Sequence, residues 1–570
     1  MRQGLLSLAC AGALVLSLGG CGKEEAVASG PLAYVPADTP YVFANLEPIS
    51  EQRAQEWLGM LAELPRLYVL QLQQVRTALT RSGEADAVLL GALDGLQAEI
   101  EGKSFEQILQ GFGYSMQTRI AVYGLDLVPV MRAELADPSA TRAAIARIEA
   151  KAGQPLPTGK LGDLSYWQLA PKDAPLMGVM AIIDNHLVLS IAPAKADEAL
   201  LKQIFGMTPP AESMLVSEGL SKLNAQYGYL PFGSGYFDLQ RAWQLVAQPT
   251  TPLQAAFMQS LEVTPPALDA ACTQEMDALA KAWPRSSFGY TRLDPGVVDM
   301  RWVTEAPAAV LSDLRTLRAP TPGLAAADEA LFNMSFALKL DALPPLANKW
   351  ADAVAATPWQ CEFLQPMNQA FADARSAAAN PGIYAVAPVM QSINVLLTHF
   401  KPAPDMAQPE FKGKLLIGSP SPAALVSMLK AYVPGMETLE VPVDGSATAL
   451  PAIPEMPIAL PMFAAQTGNV FGIAVGEGED AALGAAMQMD SATQPLMTMA
   501  YDGALYGELL GMMEPMLLAM GDTPEAKESA EMLKISRELY AKMFGRLAMR
   551  VEVTEQGIEL MQRMEMPKAP

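Results

Sequence analysis

The feature that most constrains the fold is that the chain contains the same pattern twice. Asp137-Pro138-Ser139-Ala140-Thr141 opens a helical stretch ending near Gly153, and Ser419-Pro420-Ser421-Pro422-Ala423 opens another ending near Gly435, 282 residues further on. The segments His186–Met207 and Gly468–Met489 share that offset, with Val188, Ile191, Ala192, Ala199, Leu201 and Met207 matched identically. Weaker echoes flank them. Ala37-Asp38 resembles Ala327-Asp328, Phe237-Asp238 resembles Tyr501-Asp502, and Asp294 to Met300 resembles Glu555 to Met561, at offsets of 290, 264 and 261. A fixed period of this kind marks a repeated structural unit. The reading is two related copies, 31–306 and 324–570, joined by a linker at 307–323 that contains Ala319-Pro320-Thr321-Pro322-Gly323.

Each copy has a legible order. Val130 to Leu135 reads as a strand, followed by a helix capped at Ser139 and running to about Ala152. Leu164 to Leu169 is a strand. Gly178 to Asp184 and Leu187 to Ile191 form a hairpin turning at Asp184-Asn185-His186, and a helix follows from Ala196 to Phe205. Tyr236 to Leu239 is a strand with Trp243 on the next helix, and Phe288 to Leu293 and Val297 to Thr304 close on a second hairpin. Strands joined by both hairpins and helices imply an α+β fold: two tandem related domains, each a largely antiparallel sheet with helices on one face. Helix-rich insertions at about 50–110 and 345–380 interrupt each copy after its first strand.

Composition narrows the partners. The 570 residues are 51% hydrophobic and 18% charged, enough to bury large cores, and the net charge is −22. Such an excess of acid repels nucleic acid, so no nucleic-acid partner is expected.

The first residues carry an address. Arg2 precedes an uncharged apolar stretch from Leu5 to Leu18, then Leu18-Gly19-Gly20-Cys21. A basic start, a short apolar core and small residues before a cut form a secretory signal, here 1–20. The last four residues resemble the lipobox of bacterial lipoproteins. The resemblance implies cleavage before Cys21 and fatty acyl chains of the palmitate kind on that cysteine, which would hold the protein on a membrane. Residues 21–30 then read as the lipidated cysteine and a polar tether. Gly22 stands where family members retained in the inner membrane carry Asp, which implies the outer membrane, facing the periplasm. No apolar run after Cys21 reaches the length of a second span. Further on, Tyr34-Val35-Pro36-Ala37-Asp38-Thr39-Pro40-Tyr41-Val42 resembles the opening of a group of uncharacterised bacterial exported proteins. That group has no known function and brings no site residues.

Few residues of the chain carry reactive chemistry in a recognisable pattern. Cys272 and Cys361 are the cysteines left after Cys10 and Cys21, one in each copy and each in a helical pattern, and they form a candidate disulfide. His186 reads as a turn residue and His399 as the end of an apolar run. No His-x-x-x-His, Cys-x-x-Cys, Gly-x-Ser-x-Gly or phosphate-loop pattern occurs, so neither a metal nor a cofactor is expected. The unusual residue is methionine, 33 in all, with Met512, Met513, Met516 and Met520 at helical spacing. Core filling accounts for them most simply; an adaptable apolar groove comes next, and a soft-metal site last. The expectation is a non-catalytic, lipid-anchored binding or scaffold protein of the cell envelope with a protein partner. One alternative is a carrier of a lipid or other apolar ligand in the Met-rich groove. Another is a hydrolase built on paired carboxylates, because 61 acids leave many pairs.

Overall fold

The computed structural model describes residues 30–82, 87–169, 174–248, 251–263, 268–402, 410–451, 460–490, 494–519 and 524–567. The signal, Cys21 and the tether up to residue 29 lie outside the described residues. The chain divides into two compact units. The first holds residues up to Asp269 and Met276–Trp302; the second holds Ala270–Glu275 and Val303–Pro570.

In the first unit the strands are β1 (Tyr41–Ala44), β2 (Ile120–Leu125), β3 (Val128–Glu134), β4 (Thr158–Leu161), β5 (Leu164–Leu169), β6 (Leu176–Ile183), β7 (His186–Pro193), β8 (Ser234–Asp238), β9 (Arg285–Asp294) and β10 (Val297–Thr304). Their pairing gives the order β4-β5-β6-β7-β3-β2-β1-β8-β9-β10. Helices α1 (Glu51–Met60), α2 (Leu64–Ser82), α3 (Ala87–Ile100) and α4 (Phe105–Gly111) form the insertion between β1 and β2.

The second unit repeats the plan. The strands of its main sheet are β11 (Phe332–Ala337), β12 (Ser392–Lys401), β13 (Glu410–Gly418), β14 (Thr448–Ala449), β15 (Met462–Gln466), β16 (Val470–Val475), β17 (Met497–Asp502), β18 (Arg546–Val553) and β19 (Ile558–Glu565). They pair antiparallel in the order β14-β15-β16-β13-β12-β11-β17-β18-β19. Strand for strand this is the order of the first unit from β5 to β10. Here too a helical insertion, including Leu343–Ala356 and Gln365–Ala378, follows the first strand.

The class is therefore α+β with antiparallel sheets, for readable reasons. The β6–β7 hairpin closes on Asp184 and Asn185, and Asp184 takes the left-handed backbone (φ 52°) that Asp tolerates in a tight turn. Helix α5 (Pro138–Ala152) has Pro138 in its first turn and ends on Gly153 in the left-handed conformation. Its cap is Asp137, whose side chain accepts from the Ser139 amide, and not Ser139. Proline fits the first helical turn because its missing N–H has no acceptor there, so the cap is the residue before it, two back from Ser139.

The helices are not confined to one face throughout. In the second unit α11 (Pro422–Tyr432) packs, through Val426 and Leu429, over the face carrying Ile417, Phe471 and Ile473. Helix α12 (Glu479–Ala486) packs, through Leu483 and Ala486, over the opposite face, with Leu416, Val470 and Ala474. Successive residues of β13 and β16 are apolar on both sides, so both faces need cover.

The two copies match at a slightly different offset from the sequence expectation. The hairpin turn at Asp184-Asn185 corresponds to Gly468-Asn469, where the Thr467 amide donates to the Val470 carbonyl. Pro138 opens α5 and Pro422, not Pro420, opens α11. Both correspondences lie 284 residues apart, two more than the sequence match. The echoes at 264 and 261 hold as they stand: Asp238 and Asp502 each end a strand and accept a backbone amide of the helix that follows.

Cys272 and Cys361 are joined by a disulfide with a sequence separation of 89. Cys272 is on α8 (Ala270–Ala282), but Cys361 is at a bend between helices and is not helical as its sequence suggests. Pro358 just before it removes a backbone donor and disfavours helix in its predecessor. Both cysteines fall within the second unit, because Ala270–Glu275 groups with it. Glu275, on the same helix, accepts the amides of Gln360 and Cys361 and fixes that bend.

Candidate functional site

The centre of interest is one face of β2, β3 and β7. Arg132 on β3 pairs with Val188 of β7, Glu134 pairs with His186, and Ala121 of β2 faces Arg132 from the other side. Cross-strand partners share a face, so Arg132, Glu134 and His186 point to the same side. Residues Gly30 to Val35 cover it, with Pro31–Tyr34 forming a single 3₁₀ turn.

Arg132 is completely buried. Its Nη2 donates to the Phe205 carbonyl at 2.5 Å, and its guanidinium lies 3.6 Å from the centre of the Tyr34 ring. Nε and Nη1 make no hydrogen bond. Gly206, at φ 72°, admits the guanidinium: a Cβ there would sit 2.5 Å from Nη2. Tyr123 adjoins the group: burial raises its phenol, while the Arg132 charge and the approach of the Arg132 side chain to the phenol oxygen pull it back. Glu134 does not neutralise Arg132. It is held by Arg119, whose Nε and Nη2 donate to it at 2.8 and 2.5 Å. A buried guanidinium with one carbonyl, an aromatic face and no bound carboxylate is energetically unfavourable.

His186 corrects its sequence reading as a turn residue. It is the first residue of β7, buried, edge-on to Tyr34, and neither ring nitrogen makes a hydrogen bond. The turn is complete in two residues, so His186 is already paired.

Burial pushes the imidazole down to about 4, and Arg132 and Arg119 push the same way against Glu134 and Asp184. The unfolded chain takes this proton near 6.5, so between 6.5 and about 4 it binds more protons than the folded protein. Stability is thus full above pH 6.5 and falls as the pH drops to about 4, by about 3 kcal/mol. Urea unfolding as a function of pH measures this. His186→Val should flatten the curve in that window, and an unchanged slope would refute the assignment.

The second unit shows what the same place looks like without the charge. With Gly472 in the place of Val188, the residue opposite it is Leu416. Leu416 is also completely buried, within a cluster of Ala330, Leu396, Ala474, Leu483 and Met487. His186 corresponds to Val470, again in that cluster. A buried cation on that face, Lys414, is paired with Glu479 of α12, which also accepts from Thr398 at 2.6 Å. Burial pushes the Glu479 carboxyl up, but the hydrogen bonds from Lys414 and Thr398 outweigh it and leave it below the usual range. One copy therefore buries a compensated ion pair, the other an uncompensated arginine.

The remaining sequence candidates are scattered. His399 is on β12, half exposed, 3.9 Å from Glu410. Met512 and Met513 lie on α13 (Gly503–Ala519), the first half-buried and the second exposed; Met516 is on the same helix, and Met520 lies outside the described residues. The turn at Pro36 to Thr39 is structural: Thr39 Oγ donates to the Tyr41 and Gly124 carbonyls, and Asp38 binds Arg241 at 2.6 Å. Sequence reasoning missed Arg132. The signal was an arginine inside the apolar strand Val130-Met131-Arg132-Ala133, but at an offset of 282 it aligns with Lys414 and looks like one base replacing another. No family model matches this chain, and neither the curated proteins nor the solved structures contain a match to it.

Proposed function

We propose that the protein is a lipid-anchored, non-catalytic binding or scaffold protein of the cell envelope, held by acylated Cys21 on the periplasmic side of the outer membrane. The observation that supports it best is an apolar stripe on a pair of contacting helices, α13 and α14 (Pro524–Met543). Leu509 and Met513, one turn apart on α13, are 44% and 50% exposed, and Tyr540 of α14 is 39% exposed. Neighbouring exposed apolar side chains on helices suit a helical or flat protein partner, and Met adapts to its shape.

Three buried glutamates support the same reading, while Asp126, whose carboxyl burial raises against a hydrogen bond from Thr251, departs from it. Buried Glu99 is bound by Arg147 and Lys103, Glu479 by Lys414, and Glu559 by Thr554. The Arg147 hydrogen bond brings Glu99 down to about 2. A general acid for hydrolysis needs the opposite, a raised carboxyl.

A photo-crosslinking residue at position 513 of the full-length protein in cells tests the proposal. The expected result is one dominant envelope-protein adduct, lost when Leu509→Glu is added with the fold intact. No adduct, or an adduct indifferent to Leu509→Glu, refutes the stripe as the binding surface.

A further inference from the structure

We propose that Arg132 and His186 form an oxyanion site in the first unit, closed in this structure by the Gly30–Tyr34 strap, and that its ligand is a phosphate group.

The duplication supplies the first argument. The position suits leucine, because Leu416 fills it in the second unit without a buried charge. Histidine likewise replaces a valine position. Two adjacent polar replacements on one core face, neither given a full set of partners, need a reason outside packing.

The donors supply the second. Guanidinium Nε and Nη1 are both free of hydrogen bonds, and so are both nitrogens of His186. The free Nη1–H can donate to a phosphate oxygen as a charge-assisted hydrogen bond, and a neutral imidazole adds a second donor. Glu134 cannot compete, since Arg119 holds it.

The cover supplies the third. The strap is a single turn, with the Ala33 amide on the Gly30 carbonyl and the Val35 amide on the Leu32 carbonyl. Its far end is fixed, as the Met214 amide donates to the Val35 carbonyl at 2.7 Å and the Ala37 amide to the Glu212 carbonyl at 2.9 Å. Its near end, Gly30, leads back toward Cys21 and packs on Arg119, where a Cβ would lie 2.9 Å from Nη1. Lifting residues 30–34 about Val35 takes the Tyr34 ring off Arg132 and opens the donors. The closed state leaves a buried cation without a carboxylate, so a phosphate entering the opened site gains a charge-assisted contact that the strap does not provide.

The phosphate could be free or a lipid headgroup, and the experiment separates them. The full chain carrying Cys21→Ser is titrated at pH 7.5 with inorganic phosphate, and with phosphatidylglycerol vesicles against phosphatidylcholine vesicles. Saturable binding to inorganic phosphate supports a general phosphate site, and binding confined to phosphatidylglycerol supports a headgroup site. Tyr34→Ala should tighten the binding at least tenfold by loosening the cover. Arg132→Leu should abolish it while melting at or above the parent temperature in phosphate-free buffer. His186→Val should weaken it and serves as the second variant if Arg132→Leu does not fold. The proposal fails if neither ligand binds even in Tyr34→Ala, if binding survives Arg132→Leu or is unchanged in His186→Val, or if folded Arg132→Leu melts well below the parent.

Discussion

Leu416→Arg unfolds the second unit. The variant places in that unit the residue that the first unit carries at the same point, yet the surroundings give it no support. Ala330, Leu396, Ala474, Leu483 and Met487 offer no side-chain acceptor, the cross-strand neighbour Asn394 is already bonded to Asn333 and the Pro322 carbonyl, and Gly323 approaches so closely that even a Cβ there would collide with Leu416. The nearest acid on that face, Glu479, is already engaged by Lys414 and Thr398. The first unit accommodates Arg132 through the Phe205 carbonyl and the Tyr34 ring. A buried cation without those, added to the lost leucine packing, costs about 5 kcal/mol or more. Limited proteolysis and a thermal melt check it: the expected result is early cleavage within 303–570. A variant that melts within a few degrees of the parent would mean that the two faces are not equivalent.

The second large effect concerns the disulfide. Cys272 and Cys361 close a loop with a sequence separation of 89, and chain entropy assigns such a crosslink about 4–5 kcal/mol. Both cysteines are buried, and Glu275 on the Cys272 helix holds the bend that presents Cys361. Replacing both by serine should therefore lower the melting temperature of the second unit by roughly 10–15 °C, as should a reductant applied to the parent. The reductant should leave the melt of the double-serine variant unchanged. If the parent melts alike in oxidising and reducing buffer, the crosslink contributes nothing to stability.

These two predictions rest on different kinds of legibility. The crosslink could be stated as a candidate from cysteine count alone, but not its location, since Cys272 falls in the first sequence copy and in the second compact unit. The strands were readable because their turns are chemically local. Asp184-Asn185 and Asp294-Pro295-Gly296 specify reversals wherever they occur, and Asp238 and Asp502 announce the helices that they cap. The face of His186 was not readable. A histidine beside a turn can begin the strand or belong to the loop, and only the Glu134 pairing places it inside.

From the sequence alone came the duplication, the order of strands and helices within each copy, the insertion points and the α+β class. All of these depend on residues near one another in the chain. The tertiary structure decided the alignment of the copies and the consequence of that alignment. A slip of two residues keeps every side chain on its own face, because strands alternate with a period of two. An offset of 282 and one of 284 therefore look alike in the sequence. Only the pairing of Arg132 with Val188, set against Leu416 with Gly472, separates them. That separation turns an ordinary basic residue into a buried arginine where its counterpart is leucine.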